Sequence, residues 1–125
     1  MQVYFLWAAT VMSLITFAVH TFVGGPRVAE PLLVNRDLPV ASKWLNYYCW
    51  HITTILTFTM GGAYAYVALN PERPELAVFM TVITAASSLL SIAVARMGGI
   101  NPLRFPSTSL FAVVSWLGLM GLIIN

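Results

Sequence analysis

Apolar residues run almost unbroken through four stretches, separated by short clusters of Pro, Gly and charge. The first stretch, from about Val3 to Val23, carries no charged side chain, and His20 is its one strongly polar residue. At 1.5 Å per residue it is long enough for a hydrocarbon core of roughly 30 Å. No Lys or Arg precedes it and no small-x-small cleavage site follows, so it reads as a retained helix rather than a signal peptide. The pattern places this helix at about 3–24, ended by Gly24-Gly25-Pro26. A charged, Pro-containing segment over 26–43 follows and is expected to lie as a loop at the membrane surface. The second helix is placed at about 43–69, with Ser42 as its N-cap and Asn70-Pro71 as its stop. The tight connection 70–74 predicts that the second and third helices are antiparallel neighbours. The third helix is expected at about 75–97, with Glu75 at its positive dipole end and Gly98-Gly99 closing it. The fourth is expected at about 107–124. No segment alternates apolar and polar residues as a membrane strand would. The fold class is therefore an all-α membrane protein, one transmembrane domain with four helices in a bundle. Glycine pairs follow both the first and the third helix; this echo is read as ordinary helix termination rather than duplication.

Composition agrees with that reading. The 125 residues are 59% hydrophobic and 8% charged, against about 25% charged in an ordinary soluble domain. So few charges cannot cover a water-facing surface, which sets aside a soluble enzyme. A net charge of +2 without a basic run gives no basis for nucleic-acid binding. The single Cys49 excludes an intramolecular disulfide. The expected partner is the lipid bilayer, with a second copy of the chain or a larger membrane complex as further partners.

The charges also orient the chain. The first and third loops lie on one side and carry Arg27, Arg36, Lys43, Arg96 and Arg104; the opposite side has Arg73 with Glu72 and Glu75. Positive residues favour the cytoplasm, so both termini are expected outside it, in a multi-pass protein of the inner membrane. Trp44, Tyr47, Tyr48 and Trp50 mark the inner boundary, and Tyr4, Trp7, Tyr64 and Tyr66 the outer one.

Candidate chemistry is sparse. All four acids fall in loops or at helix ends, which argues against proton coupling through a membrane carboxylate and against a di-iron carboxylate bundle. No HExxH, GxSxG, CxxC or phosphate-loop motif occurs, and no enzymatic activity is assigned. The two histidines remain. His20 is one turn from the inner end of the first helix, and His51 is two turns into the second from the same side. The stripes Ala9-Ser13-Thr16-His20-Gly24 and Tyr47-His51-Thr54-Phe58-Gly61-Ala65 are expected to turn both rings inward at one depth. With Arg96, Arg104, Tyr47 and Asn101 they form the predicted ligand-binding cluster. The competing reading is that each imidazole bonds a carbonyl or hydroxyl while the arginines snorkel to phosphates. Two imidazoles at one level also permit a bis-histidine haem b, or a transition metal on His20 and His51. The stripe Thr84-Ser87-Ser88-Ser91-Ala95, with Gly118 and Gly121, is read as close helix packing.

The pattern His20-x-x-x-Gly24, Pro31-Leu32-Leu33 and Trp50-His51-x-Thr53 resembles a group of uncharacterised small bacterial four-span integral membrane proteins. The resemblance covers most of the first two helices. It implies a bacterial inner-membrane protein in which His20 and His51 belong together, and it implies no activity. The functional expectation is a membrane module or complex subunit that binds a ligand or lipid headgroup at the cytoplasmic His/Arg cluster. The alternatives are a haem- or metal-binding redox protein and an oligomeric channel or transporter.

Overall fold

The computed structural model describes residues 1–124. Its helices are α1 (Gln2–Ala18), a π-helical segment (Val19–Ala29), α2 (Glu30–Val34), α3 (Val40–Leu69), α4 (Glu75–Met97) and α5 (Pro106–Ile123), with a 3₁₀ turn at Pro102–Arg104 before α5. α1, the π segment and α2 form one continuous rod, Gln2–Val34. This rod and the three later helices are each long and apolar enough to cross a membrane, which makes the chain an all-α, four-helix, multi-pass membrane protein. Large apolar side chains such as Ile55, Val82, Leu89, Leu90 and Trp116 point outward. In water they would form an aggregating surface, whereas acyl chains solvate them at no cost.

The largest departure from the sequence reading lies at Gly24-Gly25-Pro26, which does not end the first helix. An α-helix would press the Pro26 ring against the carbonyl four residues back and leave that carbonyl unbonded. The chain instead widens into i→i−5 pairing, seen where the Glu30 N–H donates to the Gly25 carbonyl. Pro26 sits within this eleven-residue π segment, and neither Gly24 nor Gly25 takes a positive φ. At 1.5 Å per residue the whole rod is about 50 Å long, so it outreaches a hydrocarbon core and carries Arg27 and Glu30 on helix rather than loop.

The second glycine pair does end its helix. Gly99 has φ +67°, a conformation that L side chains rarely adopt. The Ile100 N–H donates to the Ala95 carbonyl at 2.8 Å and the Gly99 N–H to the Arg96 carbonyl at 3.1 Å, the two bonds of a Schellman motif. The two Gly-Gly sites are thus structurally unrelated. Two smaller expectations are also corrected. α3 begins three residues early, after Pro39, and Ser42 is no N-cap; its carbonyl accepts from Asn46 Nδ2 inside the helix. The connection before α3 shrinks to a few residues, where Asn35 Oδ1 accepts from the backbone of Asp37 and Leu38.

α1 packs along both α3 and α5, and α4 packs chiefly on α5. α3 and α4, although joined by the tight 70–74 turn, meet over a shorter length than either meets its other neighbour. The buried stripe of α1 is Leu6, Ala9, Thr10, Ser13 and Thr16; that of α4 is Ala77, Thr81, Thr84, Ser88, Ser91 and Ala95. Small residues let these backbones approach closely. Hydroxyls then bond across the gap. Ser91 Oγ lies 2.7 Å from Ser107 Oγ and 2.8 Å from Thr108 Oγ1, and Ser88 Oγ donates to the Thr108 carbonyl. At the other end of the bundle, Thr81 ties three helices together: its Oγ1 is 3.1 Å from Tyr64 Oη on α3, and its carbonyl accepts from Ser115 Oγ on α5. Tyr64 is therefore a core residue, 0% exposed, and not the interfacial anchor its type suggests.

On α3 the buried face runs through Thr57, Met60, Gly61, Tyr64, Val67 and Ala68. The expected stripe is rotated from this one: Phe58 and His51 are exposed. Seven residues before Thr57, two helical turns back, stands half-buried Trp50. Trp50, and not His51, takes the position that faces α1.

Candidate functional site

Near the arginine-rich end, the π segment leans across α3 and the helices enclose two separate hollows. The larger is a cavity of about 980 Å³ between the π segment, α3 and the start of α5. The smaller, about 240 Å³, lies between the other face of the π segment and α3.

Each face of the π segment supplies one hollow. His20, Gly24, Arg27, Pro31 and Asn35 recur every three or four residues and line the larger one. Thr21, Gly25, Ala29 and Leu33 recur every four residues and line the smaller one. α3 contributes Asn46, Cys49, Thr53 and Thr57 to the first and Tyr47, His51 and Thr54 to the second, while Trp50 borders both.

Trp50 forms the partition. Its indole stacks on the His20 imidazole, with ring centroids 3.9 Å apart and planes 20° from parallel. His20 Nε2 lies 3.2 Å from the Trp50 carbonyl oxygen, which also accepts from Thr54 Oγ1. The contact requires glycine at 24: a Cβ there would stand 2.8 Å from Cη2 of Trp50. On the recess side, Tyr47 meets His51 edge-on, with centroids 4.5 Å apart and planes 88° from parallel.

The predicted cluster is thereby divided. His20 and Arg104 line the larger cavity; Tyr47 and His51 line the smaller recess. Arg96 lines neither and is exposed near the end of α4. Asn101 caps the 3₁₀ turn, its side chain accepting from the Leu103 N–H at 3.0 Å, and borders neither hollow. The two imidazoles do not share a hollow, and one is stacked on an indole and bonded to a carbonyl, so they do not fit a bis-histidine haem axis. Among the described residues no three His, Cys, Asp or Glu gather where a metal could sit.

Residues absent from the predicted cluster prove central to the geometry. Arg27 lines the larger cavity together with His20 because the helix continues through Pro26. Reading 24–26 as a helix end hides that register. The sequence marks Trp50 as an interfacial aromatic and as part of the Trp50-His51-x-Thr53 pattern, but not as a wall between two sites. Leu32, Leu38, Val19, Val23, Leu110 and Phe111 complete an apolar wall. The charged residues on this lining are Arg27 and Arg104, and neither Asp nor Glu joins them.

Comparison with protein-family models, with curated proteins and with solved structures gives no match. The reading of the site therefore rests on its geometry and chemistry.

Proposed function

We propose that this chain is a small inner-membrane binding module, alone or as a subunit of a complex, whose larger cavity holds an anionic amphiphile by its headgroup. The observation that carries the reading is the lining: an apolar wall, two arginines, one imidazole and no carboxylate around about 980 Å³. A volume of this order is typical of small-molecule sites. The apolar wall suits an acyl chain. Arg27 and Arg104 present guanidinium forks that match a phosphate, while Asn35 and Asn46 offer neutral hydrogen-bonding groups. Two arginines on the lining support a position near the membrane boundary, where guanidinium groups reach phosphates and a lipid could enter without leaving its leaflet.

The distribution of charge supports one side. Arg27, Arg36, Lys43, Arg96 and Arg104 at this end against Arg73 at the other favour a cytoplasmic mouth, where anionic lipids draw basic residues. The resemblance of the His20–Thr53 region to small bacterial four-span proteins supports the choice of an inner membrane and says nothing of the side.

Two measurements test the proposal. Native mass spectrometry of the purified chain, offered equal phosphatidylglycerol and phosphatidylcholine, is expected to show phosphatidylglycerol retained preferentially. Equal retention removes the headgroup reading. A reporter fused after Asn125 is expected to be active as a periplasmic phosphatase and dark as a cytoplasmic fluorophore. The reverse result turns the cavity to the outer leaflet.

A further inference from the structure

The smaller recess has the opposite electrostatic character. Its lining contains one charged residue, the exposed carboxylate of Glu30, together with three ring systems, Tyr47, Trp50 and His51. No Lys or Arg joins them. Two side chains on the same wall carry neutral hydroxyls, Tyr47 and Thr54. The floor is open because Gly25 faces it: a Cβ built there meets no atom within 4 Å.

A carboxylate beside aromatic faces, with neutral hydroxyls and no Lys or Arg, suits an organic ammonium. Ring quadrupoles attract a cation that has shed part of its water, and a carboxylate neutralises it. A bare metal ion would want more hard oxygen ligands than one carboxylate and two neutral oxygens supply. An anion would meet Glu30 unfavourably. We propose that this recess is a binding site for an alkylammonium group, carried either by an aminophospholipid or by a free amine. The assignment is independent of the anionic ligand in the larger cavity, because Glu30, Tyr47 and His51 line only the recess and Arg27 and Arg104 only the cavity. Trp50, bordering both, is the one aromatic through which the two occupants would sense each other.

The test uses the full chain in maltoside micelles, with tetramethylammonium chloride and ethylammonium chloride as probes and sodium chloride as the ionic control. The readout is the indole N–H resonance of Trp50, assigned by its loss in Trp50→Phe. A second arm titrates phosphatidylethanolamine or phosphatidylcholine into phosphatidylglycerol nanodiscs that contain the protein. A saturable shift with either ammonium probe is expected, weakened about three- to fivefold by Glu30→Gln, as removing an exposed charge partner would do. Gly25→Leu, which fills the recess, is expected to abolish it. Arg27→Gln is expected to leave it in place. A response confined to the nanodisc arm and lost in Gly25→Leu upholds the site and identifies the bilayer as its source. The assignment is overturned by no shift in either arm, by an equal shift with sodium, or by a shift that survives Gly25→Leu. If Gly25→Leu does not fold, Glu30→Gln decides: an undiminished affinity in that variant overturns the assignment.

Discussion

Gly118→Ala is expected to destabilise the bundle by about 2–3 kcal/mol, a large effect for one added methyl group. The added Cβ would overlap Tyr64 Oη and Thr81 Oγ1, and would stand 3.0 Å from Cε1 of the Tyr64 ring. Neither partner can withdraw cheaply. Tyr64 is wholly buried, and its hydroxyl and that of Thr81 hold each other at 3.1 Å. Thr81 is also the residue at which α3, α4 and α5 meet. Association of apolar helices within a bilayer depends on close packing, since lipid tails solvate side chains as well as other side chains do. Separating three helices at one contact therefore loses dispersion contacts on all of them. Gly62→Ala supplies the comparison: its Cβ meets no atom within 4 Å, and it is expected to hold or slightly raise stability. Gly121→Ala falls between, because the atoms it meets belong to the Leu6 side chain and the Leu6 backbone nitrogen. Unfolding midpoints in detergent measure all three. Tyr64→Phe in the Gly118→Ala background should recover part of the loss, since it deletes one overlapping atom, and that non-additivity separates overlap from a general intolerance of the site. If Gly118→Ala melts with the parent, the α3–α4–α5 contact is loose enough to admit a methyl group.

Replacing both cavity arginines, Arg27→Gln with Arg104→Gln, is expected to reduce retention of phosphatidylglycerol about thirtyfold. Each basic residue near an anionic membrane surface is worth roughly 1 kcal/mol, and two of them sum to that factor. Both side chains are exposed and sit at the cavity mouth, so the pair should fold with an unchanged unfolding midpoint. The matched control is Arg36→Gln with Arg96→Gln, which removes the same net charge from exposed residues that border neither hollow. That variant is expected to lose less than about threefold, because exposed charges that do not touch the ligand act only through solvent, where salt screens them. Equal losses in the two variants would show diffuse surface attraction in place of a cavity site. Lipidomic analysis of the co-purified material, at fixed salt, reads both.

The sequence by itself determined four spans and the residues that hold them together. Runs of apolar residues longer than a bilayer core admit helices alone, because every backbone group must be bonded within its own segment. The small and hydroxyl stripe from Thr84 to Ala95, with Gly118 and Gly121, was legible for the same reason: close packing in lipid requires it, and these residues lie buried, with Ser87 at the stripe's edge. The Gly98-Gly99 terminus was legible because a left-handed cap needs glycine. What the sequence left open depended on register. Gly24-Gly25-Pro26 satisfies every rule for ending a helix, yet the backbone keeps its bonding by widening to i→i−5, and only the folded chain shows which outcome wins. That choice moves Arg27 and Glu30 onto a helix, gives each face of the π segment its own hollow and lets Trp50 close over Gly24. His20 and His51, expected to share a site, line different hollows. A rotation of α3 that half-buries Trp50 and exposes His51 turns the two rings to different hollows, and period alone could not supply it, since an all-round apolar helix in lipid has no polar face from which to read its rotation.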